Sequence, residues 1–375
     1  MKPLNAMRGA TSHLLLCLIS VIAVSTYGSP VVVNTWPFVD ATSEAWRSLL
    51  ESADPNFAAL NAVEQGCSKC ENDQCDFTVG YGGSPDEDGE TTLDAMIMSG
   101  KDMQVGSVCN LRHVKDAIST ARLVMDRSTH TTLSGLQATA FAQEMGMMLT
   151  NLSTPASSSA FYSWKEARCQ PNFRCHVSPK ASESCGPYKQ DNAESDQLYA
   201  DSANSHIRHS SASSTWPSRQ DHDTIAMVAI DAKGNIAAGA SSNGASHKVP
   251  GRVGDACVAG GAAYADNDVG GCGSTGDGDL HLRFQPCYQV VESMRQGATP
   301  KQAAEDAVQR IVKHYPLYVG ALFAVDKAGN HAGACHGWTF QYAFQDNTLN
   351  APQIVTVQPV NIKTKQVNTL DNAQR

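Results

Sequence analysis

A polar tract gives way to an apolar run at Asp221-His222-Asp223-Thr224-Ile225, and Thr224 carries the only hydroxyl at the junction. If the backbone were cut between Asp223 and Thr224, the second chain would begin with a threonine bearing a free α-amino group. Such a residue holds a nucleophile and its base together, the pairing that acyl transfer needs. Downstream, Gly251-Arg252-Val253-Gly254-Asp255 sets a guanidinium and a carboxylate three residues apart between glycines. Arg252 can fork onto a carboxylate and Asp255 can accept from an ammonium, so the two could hold an α-amino acid as its zwitterion. A surface ion pair is the plainer reading of the same residues.

Gly271-Cys272-Gly273-Ser274-Thr275-Gly276 fits the pattern GxGxxG. No clear strand precedes it and the residues after it look helical, so a dinucleotide site is rejected. A glycine-permissive loop is expected instead, with Thr275 and Gly276 placed to donate hydrogen bonds to an oxyanion. A tight structural turn would use the same residues. No HExxH zinc signature and no P-loop lysine motif occurs, and Gly239-Ala240-Ser241-Ser242-Asn243 lacks the last glycine of a serine-hydrolase elbow. No metal or cofactor is expected. His222 and His247 lie beside polar loops and read as exposed.

These residues need a scaffold. Val31 to Val33 reads as a strand that ends before Pro37, and Ser43 to Ser52 as a helix. Residues 76–92 are loop. Val114, Ile118, Ala121 and Val124 recur at helical spacing, as do Leu136, Ala140 and Met145, with Ser134 as a cap. Thr224 to Ile230 and Ile236 to Ser241 form a hairpin around a turn in which Gly234 supplies a positive φ. The wording recurs at Ala324 to Cys335. Between the hairpins lie two helices, Leu280 to Gln296 and Pro300 to Tyr315, the second capped by Thr299. Two sheets covered by helices, in four layers, satisfy this order.

The 375 residues suit one large domain or two modest ones, and only 17% are charged while 29 are glycine. Tightly packed sheets fit that composition better than long solvated helices. A net charge of −9 argues against nucleic acid. Lys2, Arg8, the apolar core Leu14 to Val24 and small residues near Gly28 read as a signal peptide over residues 1–28, too short to span a bilayer. Its removal takes two basic groups and no acidic one, so −9 becomes −11. Cys17 leaves with it, and eleven of the twelve cysteines remain. Cys67, Cys70 and Cys75 cluster, as do Cys169, Cys175 and Cys185, and in an oxidising compartment they read as local disulfides; the odd total leaves at least one thiol over. Asn151-Leu152-Ser153 is a glycosylation sequon. The tract 186–223 has too few apolar groups to offset its ordering entropy and reads as mobile and prone to trimming.

His222-Asp223-Thr224-Ile225, Ser242-Asn243-Gly244, Gly251 to Asp255, Ala262-Ala263-Tyr264-Ala265-Asp266 and Ser274-Thr275-Gly276-Asp277-Gly278-Asp279 closely resemble the glycosylasparaginases, or aspartylglucosaminidases. So do Trp36-Pro37-Phe38, Gly82 to Glu87, and Gly89-Glu90-Thr91-Thr92-Leu93-Asp94-Ala95. The likeness runs from about residue 30 to about residue 345. It implies the N-terminal-nucleophile hydrolase fold, an α+β four-layer αββα sandwich. It implies a precursor that cuts itself before Thr224 into an alpha chain, 29–223, and a beta chain, 224–375. The two would share one domain and pair into a dimer of heterodimers. It implies an amidase carried by the secretory pathway to the lysosome, with secretion as the alternative, that splits the bond joining N-acetylglucosamine to asparagine.

In that family's terms Thr224 is the nucleophile and Ser242 hydrogen-bonds it. Arg252, Val253, Gly254 and Asp255 bind the substrate's free carboxylate and amine, with Asp277 and Gly278 beside them. Thr275 and Gly276 form the oxyanion hole, and Trp36 shapes the pocket. Cys70–Cys75 and Cys169–Cys185 match family disulfides. The resemblance leaves Cys67, Cys109, Cys175, Cys257, Cys272, Cys287 and Cys335 unassigned. A general asparaginase or isoaspartyl peptidase of the same fold is the nearby alternative, and a catalytically silent secreted binding protein the remote one.

Overall fold

A computed structural model describes residues 29–191 and 224–360. The expected signal peptide, Asp221 to Asp223, most of the polar tract and the C-terminal tail lie outside the described residues.

The eight-stranded sheet has the order β14-β13-β1-β7-β8-β2-β3-β4. Its strands are β1 (Val31–Thr35), β2 (Leu93–Ser99), β3 (Val105–Leu111), β4 (Thr132–Ser134), β7 (Ile225–Ile230), β8 (Ile236–Ser242), β13 (Phe340–Asp346) and β14 (Gln353–Val357). A four-stranded sheet has the order β12-β11-β10-β9, from β9 (Ala263–Asp266), β10 (Gly270–Gly276), β11 (Gly320–Asp326) and β12 (His331–His336). The short strands β5 (Val177–Ser178) and β6 (Lys189–Gln190) pair apart from both. Eight α-helices, α1 (Val39–Glu51), α2 (Ala58–Asp73), α3 (Ala117–Arg127), α4 (Gly135–Glu144), α5 (Pro155–Glu166), α6 (Gly278–Phe284), α7 (Pro286–Arg295) and α8 (Pro300–His314), and two 3-10 turns, Cys75–Phe77 and Asp255–Cys257, complete the described residues.

Side chains on a strand alternate between faces. Along β7, Ile225, Met227 and Ala229 enter one core, which they share with Ala45 of α1, Val63 of α2 and Ile118 of α3. Ala226, Val228 and Ile230 enter another, which they share with Ala321, Phe323 and Val325 of β11. Leu322 and Ala324 of the same strand enter a third, against Val290 of α7 and Val308 of α8. The larger sheet thus lies between helices and the smaller sheet, and the smaller sheet carries helices on its far face. Both faces of β7 are buried, which is why its sequence is apolar throughout. The two similar hairpins fall in different sheets: β7–β8 in the larger and β11–β12 in the smaller. Gly234 and Gly329 take φ of 80° and 89° in their turns.

Three expectations change. The segment Leu280 to Gln296 is two helices, because Pro286 lacks an N–H and Gln285 before it takes a left-handed φ of 50°. Residues 270–276 are a fully buried strand, not a loop. Their glycines weaken the strand signature, yet they are needed for close packing. A Cβ on Gly271 would lie 2.8 Å from Val228 Cγ1, and one on Gly273 2.6 Å from Phe323 Cε1 and 2.9 Å from Ala226 Cβ. Finally, Ser134 precedes α4 without a side-chain cap.

Glu71 of α2 is buried below β8, where its carboxylate accepts from Ser241 Oγ at 2.5 Å and Ile118 N at 2.9 Å. Burial pushes its pKa up to about 8 against those hydrogen bonds. Between its unfolded value near 4.5 and about 8, the folded chain keeps a proton that the unfolded chain has lost. Its contribution to stability is therefore greatest below pH 4.5 and declines as pH rises through that window. Thermal melts from pH 5 to 8 should show the wild-type Tm falling more steeply than that of Glu71→Gln.

Candidate active site

Thr224 stands one residue before β7 and is buried. Ile225 pairs with Ser241, so the same antiparallel register sets Thr224 beside Ser242 at the end of β8. Ser242 in turn pairs with Asp94 of β2. Thr35 Oγ1 of β1 donates to Thr224 O and accepts from Ala226 N, both at 2.9 Å, which fixes the backbone on the other side. Thr224 Oγ1 is buried and has no hydrogen-bond partner among the described residues. The expected bond from Ser242 is therefore absent. Ser242 Oγ instead accepts from Gly244 N at 2.9 Å, closing the turn after its strand.

Thr224 and Ser242 are in step with Ala226, Ala238 and Ala240, which face the smaller sheet. On that sheet Gly271 packs on Val228 and Gly273 on Ala226. One further two-residue step brings Thr275 toward Thr224. Cys272 points to the opposite face, so the alternation agrees. Trp36 links the sheets: its Nε1 donates to Thr275 Oγ1 at 3.1 Å, and its ring meets Trp338 and Phe340 edge-on. Gly276 takes a φ of 122°, where a Cβ would lie 2.5 Å from Gly320 Cα.

Arg252 and Asp255 are not paired with each other. Arg252 Nη2 donates to Asp279 Oδ2 at 2.9 Å, and Asp255 Oδ2 meets His281 Nδ1 at 2.7 Å. Burial opposes the Arg252 charge, but Asp279, Asp94 and Asp255 outweigh it and hold its pKa above the usual arginine value. Glycines make room: a Cβ on Gly254 would lie 2.8 Å from Arg252 Nη1, and one on Gly278 2.7 Å from Asp255 Oδ1 and 3.1 Å from Arg252 Nη2. Val253 is half-buried between them. Asp277 caps α6, its carboxylate accepting from Leu280 N, and burial pushes its pKa up. Asp94 accepts from Asn110 N at 2.7 Å and Gly254 N at 2.8 Å, so β2 and β3 anchor the Arg252 loop.

Asp94, His281 and Tyr318 escaped the sequence reading as parts of this site. The acidic residue lay inside a quoted motif, but nothing in the sequence marked the other two. Both implied disulfides are present, Cys70–Cys75 and Cys169–Cys185. Two more join cysteines left unassigned, Cys109–Cys257 and Cys272–Cys287. Cys67, Cys175 and Cys335 are free. Asn151 is exposed. His247 stacks on Trp164 with ring centroids 4.5 Å apart, so it is not the exposed side chain expected. No cluster of metal-binding side chains and no helix fit to cross a membrane occurs among the described residues.

A sequence model of the asparaginase family matches residues 19–353. The chain belongs to that family. It is 47% identical over 307 residues to the N(4)-(beta-N-acetylglucosaminyl)-L-asparaginase of Mus musculus, covering 82% of this chain and 84% of the relative. It is 51% identical over 333 residues to an Arabidopsis thaliana protein named "Probable isoaspartyl peptidase/L-asparaginase 3", covering 88% of this chain and 91% of that one. These relatives fit the resemblance to the glycosylasparaginases, within the N-terminal-nucleophile hydrolases, and identify this family member as an amidohydrolase. In this asparaginase-family chain, widening Gly273 should force the sheets apart. Gly273→Val should cost about 1–3 kcal/mol by overpacking, read as a lower denaturant midpoint than that of wild type.

Proposed function

We propose that the chain is a glycosylasparaginase. It would be activated by scission before Thr224 and would cleave the amide between N-acetylglucosamine and an asparagine with free α-amino and α-carboxyl groups. The observation that carries this reading is a buried, unpartnered Thr224 hydroxyl at the head of β7, in the register that packs Ala226 on Gly273 of β10 and continues toward Thr275. A buried polar atom without a partner is costly and marks a site held ready for another group.

In the precursor, Thr224 Oγ1 attacks the Asp223 carbonyl, the acyl group moves from nitrogen to oxygen, and water opens the ester. Residues 29–223 and 224–375 then form the alpha and beta chains of one four-layer αββα domain, after the 1–28 leader is lost. In the mature site the new α-amine takes the proton of the Thr224 hydroxyl. Oγ1 attacks the substrate's side-chain carbonyl, and Thr275 and Gly276 stabilise the oxyanion. Arg252 grips the α-carboxylate and Asp255 the α-ammonium, with Val253, Gly254, Asp277 and Gly278 around them. The glycosylamine departs, and water releases aspartate. A lysosomal location, a glycan on Asn151 and a dimer of heterodimers complete the reading.

The asparaginase or isoaspartyl peptidase reading draws on the Arabidopsis relative. A cavity of about 450 Å³ favours the larger substrate: Trp36, Trp338, Asp76, Thr339, Gln341 and Thr356 line it. Aromatic rings among carboxylate, amide and hydroxyl groups suit a sugar. Trp338→Ala should raise KM for the glycoasparagine at least tenfold and leave asparagine turnover within about threefold, since only one substrate fills the cavity. Equal losses on both would favour the smaller substrate.

Thr224→Ala should accumulate as one uncut chain. The Cys109–Cys257 bridge joins sequence on either side of the cut. Mature protein should therefore run as one band without reductant and as two with it. N-terminal sequencing should find Thr224 at the start of the smaller piece. An active enzyme with no such terminus would end the proposal.

A further inference from the structure

His281 is fully buried on α6, behind Asp255, with its hydrogen-bonding groups engaged on both sides. Its Nδ1 is 2.7 Å from Asp255 Oδ2 and 3.2 Å from Ser274 Oγ, and its Nε2 is 2.7 Å from Tyr318 Oη. The protons in this chain can be assigned by elimination. Ser274 Oγ donates to Gly261 O at 2.9 Å, so its hydrogen is spent and it can only accept from His281. Nδ1 therefore carries a hydrogen, shared between Ser274 and Asp255. Tyr318 is also buried, and His281 is the sole hydrogen-bond partner of its hydroxyl among the described residues. A second proton on Nε2 would leave the phenol hydrogen without an acceptor in a dry interior, which is unfavourable. The phenol itself cannot readily ionise, because burial raises its pKa well above the ordinary tyrosine value.

We propose that His281 is a positioning residue for Asp255: it holds the carboxylate as a neutral Nδ1–H donor, and Tyr318 keeps it from becoming a cation. This inference rests on the reading of Asp255 as the acceptor of the substrate's α-ammonium. Its logic is one of competition. An imidazolium at 2.7 Å would be a built-in counter-ion and would occupy the charge that the substrate must meet. A neutral imidazole fixes the rotamer of the carboxylate through Oδ2 and leaves its full negative charge available. Oδ1, on the Gly278 side towards Arg252, makes no hydrogen bond among the described residues. Gly320 permits the arrangement, since a Cβ there would lie 2.2 Å from Tyr318 Oη.

The charged and titratable groups around His281 are Asp255 from the 3-10 turn Asp255–Cys257 ahead of β9, Asp277 at the head of its own helix, and Tyr318 ahead of β11, with His336 of β12 stacked on the Tyr318 ring. Cys335 of β12 lies behind Tyr318, and Arg252 and Asp279 lie beyond the two aspartates. The carboxylates favour a protonated imidazole. Tyr318 is the group that opposes it, so removing the phenol oxygen would leave Nε2 without the donor that now occupies it.

The experiment uses the mature protein with three variants, His281→Leu, His281→Asn and Tyr318→Phe, each checked for processing and Tm. Glycoasparagine kinetics and calorimetric binding of L-aspartate are measured from pH 5 to 8. His281→Leu should raise KM and the aspartate Kd at least tenfold while kcat changes less than threefold. His281→Asn keeps a side-chain N–H near the Nδ1 position and should recover most of that loss. Tyr318→Phe should lose more aspartate affinity than wild type does as pH falls. Binding of succinate, which lacks the α-ammonium, should be equally weak in all four proteins. Unchanged aspartate affinity in His281→Leu, or a pH profile in Tyr318→Phe that follows wild type, would overturn the inference. Wild type that binds aspartate but turns over no glycoasparagine would instead sink the enzymatic reading, while the binding comparison would still decide the role of His281.

Discussion

The close approach of two sheets is the constraint on which everything else rests. It is made at Gly271 and Gly273 of β10, where the missing side chains let Val228 and Ala226 of β7 come into contact. Because both strands alternate at the same period, that contact also sets which residues meet at the end of the interface. One two-residue step beyond Gly273 and Ala226, the small residues stop and two threonines, Thr224 and Thr275, take their places. The site is thus the open end of a core, and its geometry is inherited from packing density rather than from loop conformation. Trp36 works in the same direction, since one indole packs between aromatic rings and hydrogen-bonds to Thr275 on the other sheet.

Charge is shared out by hydrogen bonding. Arg252 bonds Asp279 and Asp255 bonds His281, so the cation and the anion are neighbours that feel each other without being fused into one salt bridge. A pair fused into one salt bridge would have to be broken before a zwitterion could bind, at the expense of affinity. Asp94 and the Cys109–Cys257 disulfide hold the intervening loop to β2 and β3, in the part of the chain before Thr224. The Arg252–Asp255 loop therefore depends on sequence from both sides of Thr224.

Much of this was legible in the sequence, for identifiable reasons. The apolar run after Thr224, the glycine turns at Gly234 and Gly329, and the Thr299-Pro300 cap on α8 are local signals that tertiary packing had no cause to override. The glycine strand β10 was misread because strand propensity measures how a side chain fits a sheet, and here the sheet required its absence. Pro286 was overlooked as a break because apolar spacing continues across it. His281 and Tyr318 could not be seen at all. They stand thirty-seven residues apart, and only folding brings their ring atoms together. The same holds for the partners of Cys109 and Cys272.

The strand order has a consequence for how the molecule is made. β1 is among the first segments of the described chain, yet it lies between β7 and β13, with Val31 opposite Asp346 on one side and Ile230 on the other. Its berth does not exist until nearly the whole polypeptide has left the ribosome. Such long-range pairing makes for slow folding, and it enforces a schedule. The β1 segment must wait, protected from stray edge pairing, until the last strands arrive. Only then are the segments on either side of Thr224 woven through one sheet.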